Sequence, residues 1–532
     1  MIRFLFALSC AAFTASAGPE PAENIIQSLG VKGGLVVHLG CGDGKLTLSL
    51  RPDSRFQVHG LDADAAKVAK ARTAVREAGV YGPVSIDQLR GARLPYIDGM
   101  VNLVVAENLG QVPKAEVLRV LAPKGIAYLK EGGKWTTTVK ARPKDIDDWT
   151  HFLHGPGGNA VAQDKRVGPP RHLQWLGSPR WSRHHDRMAS MSALVSANGR
   201  VFYVMDEGSR VSIQLPAKWM LVARDAFNGV VLWKKPMGKW HSHLWPLKSG
   251  PTQLARRLVA VGDRVYVTLG VDAPVSVLDA ATGTKVHDLP GSERAEEIIV
   301  EGGQVFVLES PEAWELNNFL PFHNVGDQAR VRREFAWNEK PRHVKAYDTV
   351  TGKRIWNHDS KVAPLTMTAD AAHMFFHDGV KVVALNRSSG DVAWSSGPMK
   401  RPERLRFNFG PKLVVHDGVV LYAGGDRLMK AFDAKTAKPL WEAPHARGGY
   451  QSPEDLLVMK GLVWSAPTTS GRDSGAFTGR DLKTGEVKVE FPPNVDTYWF
   501  HHRCYIAKGT ENFLMPSRTG IEFVDPDKKD WD

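Results

Sequence analysis

Gly40-Cys41-Gly42-Asp43-Gly44 stands directly between an apolar run, Leu35-Val36-Val37-His38-Leu39, and the helix-forming stretch Lys45 to Leu50. Glycines so placed let the backbone approach a ligand closely, with the amides of the helix start facing it. Asp62 ends a second apolar run, Phe56-Gln57-Val58-His59-Gly60-Leu61, about twenty residues beyond the loop, where a carboxylate can accept both hydroxyls of a ribose. These residues are suited to holding a nucleotide-like group. A second set is built on imidazole: His184, His185 and Asp186, then His241 and His243, then His501, His502 and Arg503. Neutral imidazoles and carboxylates are common metal ligands, so these clusters would hold a divalent metal or an anionic ligand if the fold gathered them at the mouth of a channel. Surface or hydrogen-bonded structural histidines are the alternative, and spacing does not separate the two.

From residue 23 onward, helical and strand-like segments alternate, the pattern of a parallel sheet with crossover helices. His38-Leu39-Gly40-Cys41-Gly42-Asp43-Gly44, Gly60-Leu61-Asp62, Leu94-Pro95-Tyr96 and Asn102-Leu103-Val104-Val105 follow one another in order, and Glu116 to Gly125 reads as a helix running into a strand. Over roughly residues 24 to 130 the chain resembles the class I S-adenosylmethionine-dependent methyltransferases. The resemblance implies that Gly40, Gly42 and Gly44 lie against the cofactor's amino-acid and ribose portions, that Asp62 holds the ribose, and that Asp87 reaches the adenine amine. Three departures accompany it. The family usually has an acid where His38 stands, an Asp where Asn102 stands, and a closing antiparallel hairpin for which only Trp135 to Lys140 remains here.

A different pattern fills the remainder. A strand, an Asp or Asn, a few residues, a Gly and a strand ending in Trp recur, with the acid or amide at Asp225, Asp279, Asp348, Asn386, Asp433, Asp481 and Asp525. Asp or Asn and Thr side chains stabilise a tight turn, Gly supplies positive φ, and Trp offers a flat side chain to a neighbouring unit. A further strand pair lies upstream of each turn, as in Leu194 to Val204 and Leu413 to Tyr422, so each repeat has four strands and forms a propeller blade. The repeats resemble those of pyrroloquinoline-quinone-dependent dehydrogenases and of the propeller lipoprotein that assists outer-membrane protein assembly. Asp148-Trp149-Thr150-His151 through Leu173-Gln174-Trp175 also resembles the start of such propellers. By that resemblance eight blades are usual, with the first strand completing the last blade, and Leu173-Gln174-Trp175 is the candidate for that outer strand. Seven copies are readable, and Trp531 already serves the seventh, so seven and eight blades both stay open. Quinoprotein dehydrogenases use an adjacent Cys-Cys pair, which this chain lacks, and their calcium ligands find no match, so no quinone cofactor is expected.

Across 532 residues, 43% are hydrophobic and 24% charged, ordinary values for folded soluble domains. One Arg precedes an apolar run ending in Ala15-Ser16-Ala17, the small-x-small pattern of a signal peptide cleaved before Gly18. The run is shorter than the ~20 residues a membrane anchor requires, and no later stretch reaches that length, so no transmembrane segment is expected after signal removal. Cys10 as a lipid-attachment site is the alternative, although Ala7-Leu8-Ser9 departs from the usual order before such a cysteine. Cys41 and Cys504 fall in different expected domains and imply neither a disulfide nor a zinc site. The net charge of +12 is spread along the chain, so it reads as a basic solvated surface and not as a specific nucleic-acid site.

The expected architecture is two-domain: a signal peptide over 1–17, a small Rossmann-like, class I methyltransferase-like α/β domain over 18–135, a linker and propeller opening over 136–170, and an all-β propeller of seven to eight four-stranded blades over 171–532 with an incomplete last blade. The expected function is that of a periplasmic or secreted binding and scaffold protein that meets a protein or small-molecule ligand on its propeller loops. S-adenosylmethionine is made in the cytosol, which argues for a degenerate methyltransferase-like domain. An active methyltransferase and, behind it, a pyrroloquinoline-quinone-dependent oxidoreductase are the enzymatic alternatives.

Overall fold

The computed structural model describes residues 22–181, 183, 190–212, 214–241, 252–313, 337–401, 403, 405, 411–424, 427–445, 456–465, 477–491, 507–515 and 523–531. Backbone contacts divide the chain into two compact units, Met1–Arg142 and Pro143–Asp532. The stretch expected as a linker is therefore divided. Its first residues finish a strand of the α/β unit, and the rest belongs to the propeller.

In the first unit, β1 (Gly34–Leu39), β2 (Phe56–Asp62), β3 (Val84–Gln88), β4 (Val101–Ala106), β5 (Leu121–Glu131) and β6 (Lys134–Val139) form one sheet in the order β3-β2-β1-β4-β5-β6. All pairings are parallel except β5 with β6. β1 is buried along its whole length, as a strand covered on both faces must be. α1 (Ala22–Ser28), α2 (Lys45–Ser49), α3 (Ala65–Glu77) and α4 (Lys114–Val120) complete the unit. Asp64 caps α3 by accepting from the Ala66 and Lys67 amides, and Val68, Ala71 and Val75 bury one helical face. Strand order reverses between β1 and β4, and the crevice outside their carboxyl ends is where such sheets bind ligands. One antiparallel strand, β6, stands where the resemblance implies a hairpin.

Among the described residues of the second unit, seven four-stranded antiparallel sheets follow in sequence: blade 1 (Met191–Pro236), blade 2 (Leu258–Asp288), blade 3 (Ala295–Ser360), blade 4 (Thr368–Ser395), blade 5 (Lys412–Pro444), blade 6 (Leu457–Phe491) and blade 7 (Lys508–Trp531). The first strands of blades 1 to 5 lie against one another in succession, which places the first strand of each blade nearest the axis. Each expected turn is present. Asp225 accepts from the Phe227 and Asn228 amides, and Gly229 follows at φ 74°. Asp279, Asp348, Asn386, Asp433 and Asp481 hold the same turn.

The tryptophans clamp these turns from the preceding blade. Indole Nε1 of Trp233, Trp356, Trp394 and Trp441 donates to the carbonyl just after the next blade's Asp or Asn, at 2.7–3.0 Å. Trp175 does the same for blade 1, at 2.9 Å to Ala226 O, although Leu173-Gln174-Trp175 is irregular chain, bent at His172 and Gln174, and not a strand. The ring lies on the turn glycine, leaving no room for a Cβ at Gly229, Gly283, Gly390 or Gly485. Blade 5 breaks this rule with Ala437 at φ 63°. An L-residue in that conformation carries about 1–2 kcal/mol of strain, and a glycine gives part of that back as unfolded-state entropy. Ala437→Gly is therefore expected to stabilise the propeller by about 0.5–1 kcal/mol, read as a rise in the midpoint of chemical unfolding.

The axis is filled by the chain's own segment 148–162. Trp149 O accepts from Ser196 N of blade 1, Thr150 O from Ala260 N of blade 2, and His151 Nε2 from Val300 N of blade 3. Pro156 O and Gly157 O accept from Ala369 N of blade 4 and Val415 N of blade 5. Asn159 makes paired bonds to Val458 of blade 6, and Ala160 and Ala162 bracket Gly509 of blade 7. The segment thus visits all seven blades in order, close to the end of each inner strand. Gly157 has no alternative there, because a Cβ would lie 2.4 Å from Val415 O.

Candidate functional site

At the carboxyl end of β1 the chain turns through Gly40, Gly42 and Gly44, with φ of 73°, 56° and 85°. A Cβ at Gly40 or Gly42 would meet nothing closer than 3.8 Å, so these two glycines leave an open cradle. Gly44 has another task, since its Cβ would press on the α3 backbone at Ala71, 3.1 Å away. Asp62, at the end of β2, is buried and fixed before any ligand arrives: Oδ2 accepts from Gly42 N and Oδ1 from Asp64 N, both at 3.0 Å. Each oxygen keeps a further lone pair for a hydroxyl donor. Cradle and carboxylate stand together at the strand-order reversal, a geometry that fits the nucleoside part of a ligand.

His38 lies next to this cradle. It is buried, with Nδ1 2.8 Å from the Thr47 hydroxyl, and burial lowers its pKa to about 4 in spite of the nearby Asp62 charge. The imidazole is therefore neutral at pH 7, and it stands where the resemblance places an acid. A neutral ring gives an ammonium group no charge partner at this one position. Asn102 is a structural substitution. Its Oδ1 accepts from Leu35 N at 2.8 Å at the far end of β1, away from the cradle. Asp87 is engaged on β3 by Arg72 at 2.7 Å and His59 Nε2 at 3.1 Å, and Tyr96 donates to His59 Nδ1 at 2.7 Å. Cys41 is buried beside the loop, and burial raises its thiol pKa to about 11, which removes it as a nucleophile.

In the propeller, His184, His185, Asp186, His243, His501 and His502 lie outside the described residues. His241 is described and buried, and its backbone carbonyl accepts from Trp219 Nε1. Among the described residues no cluster of His, Cys, Asp or Glu has the geometry of a metal site. In sequence the histidine clusters fall in the connections leading into the inner strands of blades 1, 2 and 7. The inner strands of those blades begin on the face opposite the Asp–Gly turns.

The same face carries charged groups that the sequence did not single out. Arg183 pairs with Asp206 at 2.7 Å, Arg256 with Glu297 at 2.7 Å, Arg342 with Glu296 at 3.2 Å, and Lys345 with Glu309, all buried. Arg256 also donates to Met367 O and Leu365 O, and Leu365 N donates to Glu297, so one ion pair ties blades 2 and 3 to the connection entering blade 4. Burial raises the Glu297 pKa against the pull of Arg256 and lowers that of Arg257 to about 10. The doublets Arg256-Arg257 and Glu296-Glu297, each just before or at an inner strand, were the available signal.

Three buried histidines give the fold an acid limit. Burial lowers the pKa of His38 to about 4, of His151 to about 3 and of His377 to about 4. Unfolded, each titrates near 6.5, so below that pH the unfolded chain binds protons that the folded chain does not. Their contribution is complete above pH 6.5 and is lost on acidification toward pH 4, by about 1.4 kcal/mol per pH unit for each group. Calorimetric unfolding at stepped pH should show both units losing stability across that window, the propeller more steeply because it holds two of the three.

Known proteins divide the chain at the same place. The family model described as a methyltransferase domain matches residues 36–133. A putative S-adenosyl-L-methionine-dependent methyltransferase from Methanococcus maripaludis is 25% identical over 20% of this chain, with a TM-score of 0.19, and the match spans about half, 52%, of that protein. The outer membrane protein assembly factor BamB of Burkholderia pseudomallei is 28% identical over 44% of this chain and 67% of its own length. BamB from Moraxella catarrhalis matches 62% of this chain and 77% of its own at 13% identity and a TM-score of 0.35. The family model described as outer membrane protein assembly factor BamB matches residues 220–488, half of the chain. By that match the chain belongs to the BamB family of repeat proteins, and it carries a methyltransferase-type domain ahead of the repeats.

Proposed function

We propose that the protein is an exported binding and scaffold protein of the cell envelope, whose propeller meets a protein or small ligand on the face opposite the Asp–Gly turns, while the α/β domain holds a nucleoside-like group without transferring a methyl group. The observation that carries this reading is the buried, neutral His38 at the place of an acid, beside a glycine cradle and an Asp62 that still suit a ribose. The axial segment supports it too, because it fills the channel near the turn face and leaves the opposite face for a ligand. BamB is by its name an assembly factor, and family membership favours a partner-binding role over catalysis. Export is tested by amino-terminal sequencing of the protein from the envelope fraction: a start at Gly18 is expected, and a cytosolic chain that keeps Met1 contradicts the reading.

The second reading is an active S-adenosylmethionine-dependent methyltransferase, favoured by the preset Asp62 carboxylate. In that case the cofactor supplies the methyl group, Asp62 holds the ribose, and the Gly40 to Gly44 backbone lies along the ligand. A divalent metal at His184, His185, Asp186, His241, His243, His501 and His502 is a further proposal, tested by elemental analysis of protein purified without a histidine tag. Titration with pyrroloquinoline quinone in the presence of calcium tests the quinone reading, for which the sequence offers no adjacent Cys-Cys pair.

A further inference from the structure

Each inner strand of the propeller normally divides its side chains between two apolar cores, one shared with the preceding blade and one with the following blade. Leu258 and Ala260 of blade 2 pack with Val195 and Leu221 of blade 1, while Val259 packs with Ile298 and Val305 of blade 3. The pattern continues through Ile299 with Met374, Leu413 with Phe375, Val414 with Val458, and Leu457 with Leu514. Six cores join seven blades in this way. Among the described residues no core joins blade 7 to blade 1. On the inner strand of blade 1, Ala193, Val195 and Ala197 face blade 2, whereas Leu194 on the opposite side is 45% exposed and Met191 is 43% exposed. Behind it Tyr203, Met205 and Val222 form a small separate cluster.

Among the described residues, what spans this junction is a strap of chain. It leaves blade 7 where Asn512 Nδ2 donates to Lys165 O and Val167 O, and it reaches blade 1 at the Trp175 clamp. Between those points the backbone N–H groups of His172 to Gly177 have no hydrogen-bond partner among the described residues. Leu173 and Leu176 are 78% and 62% exposed. The charge of the strap has one sign: Lys165, Arg166, Arg171 and Arg180 are present with no Asp or Glu between residues 165 and 181, and Arg166 reaches Asp145 outside it.

We propose that this junction is a docking site for an extended segment of another protein in which acidic and apolar side chains alternate. Such a segment lies along His172–Gly177 and bonds those of its amides that face outward. Its carboxylates meet Arg171 and Arg180, and its apolar side chains cover Leu173 and Leu176 and, closer to the axis, Leu194. A basic strap bearing leucines also resembles a membrane-surface element. A bilayer, however, leaves the strap amides unsatisfied and does not reach Leu194 on a strand next to the axis. This surface is independent of whatever ligand the loop face takes.

The test uses the full chain and short synthetic peptides alternating valine with glutamate or valine with lysine. Hydrogen exchange and fluorescence anisotropy read binding. The glutamate peptide should bind and slow exchange at residues 172–177, at least about tenfold more weakly in Arg171→Glu and in Leu173→Glu, two exposed sites where unfolding midpoints should be unchanged. Leu194→Glu should weaken it likewise. Equal binding of both peptides, or binding of neither, overturns the proposal. So does slow exchange at 172–177 in the monomer alone, which would mean that the chain covers its own strap, or in a dimer that forms with rising concentration. Binding of phosphatidylglycerol vesicles with the same residue dependence, and of no peptide, overturns it in favour of a membrane.

Discussion

Replacing Trp149–Ala162 in the full chain by a Gly/Ser stretch of equal length is expected to abolish the cooperative unfolding transition of the propeller while leaving that of the α/β unit. The segment supplies a hydrogen bond to the inner strand of every blade, from Ser196 of blade 1 round to Gly509 of blade 7. At about 1 kcal/mol net for each bond, the sum is comparable to the whole stability of a typical domain. Leu153, Ala160 and Val161 add buried apolar surface, and Val161 belongs to the core between blades 6 and 7. A graded version of the same experiment is Asn159→Ala. Its side chain accepts from Val458 N at 2.8 Å and donates to Val458 O at 2.9 Å, both buried. Truncation leaves two buried backbone groups unsatisfied, at about 1–3 kcal/mol each. A loss of about 3 kcal/mol in chemical unfolding is expected, with faster amide exchange first in blade 6. An unfolding midpoint unchanged by the Gly/Ser replacement would mean that the blades hold one another without the axis.

Asp206→Ala should have the next largest effect. The side chains of Arg183 and Asp206 are 1% and 0% exposed and meet at 2.7 Å. Asp206 also accepts from Gly208 N and Lys218 N, and Arg183 donates to Ser209 O, Ser212 O and Leu215 O, so the pair organises the whole connection between the second and third strands of blade 1. Removing the carboxylate leaves a buried guanidinium without its counter-charge, a change that costs about 3–5 kcal/mol. Replacing both residues together by apolar ones of similar volume should recover much of this, because two desolvation costs disappear with the attraction. Equal losses in the single and double variants would contradict that account, and a thermodynamic cycle over the four chains measures it.

Both structures behind these predictions were hard to read in the sequence, and for the same reason. The glycine loop, Asp62, the Asp–Gly turns and the tryptophan clamps were legible because each is a local pattern: a strand next to a turn next to a helix, or a carboxylate two or three residues from the amides it binds. Repetition made the turns plainer still. Segment 148–162 has no period, since successive residues answer to different blades, and its blade partners lie from 47 to 349 residues away, from Ser196 at Trp149 to Gly509 at Ala160. Gly157 and Gly158 meet the inner-strand backbone of blade 5 closely, but isolated glycines do not announce such partners in a sequence. Buried ion pairs such as Arg256 with Glu297 were hidden similarly, because charged residues in a sequence read as surface until a partner is known. His38 was legible as a departure but not in its effect. Its neutrality depends on the burial that β1 acquires only between β2 and β4.

That neutrality is also where the functional reading is most exposed to test. On the proposed reading the glycine cradle and Asp62 hold the nucleoside, and His38, neutral where the resemblance implies an acid, gives the ammonium group no charge partner, so the amino-acid tail of the methyl donor should add little binding. Calorimetric titration of the full chain with adenosine and with S-adenosylmethionine measures this directly. The expected result is two affinities within about threefold of each other, less than about 1 kcal/mol apart, both lost in Asp62→Ala. S-adenosylmethionine binding more than about a hundredfold tighter than adenosine, a gain of nearly 3 kcal/mol from the tail alone, would contradict it and favour a working methyltransferase.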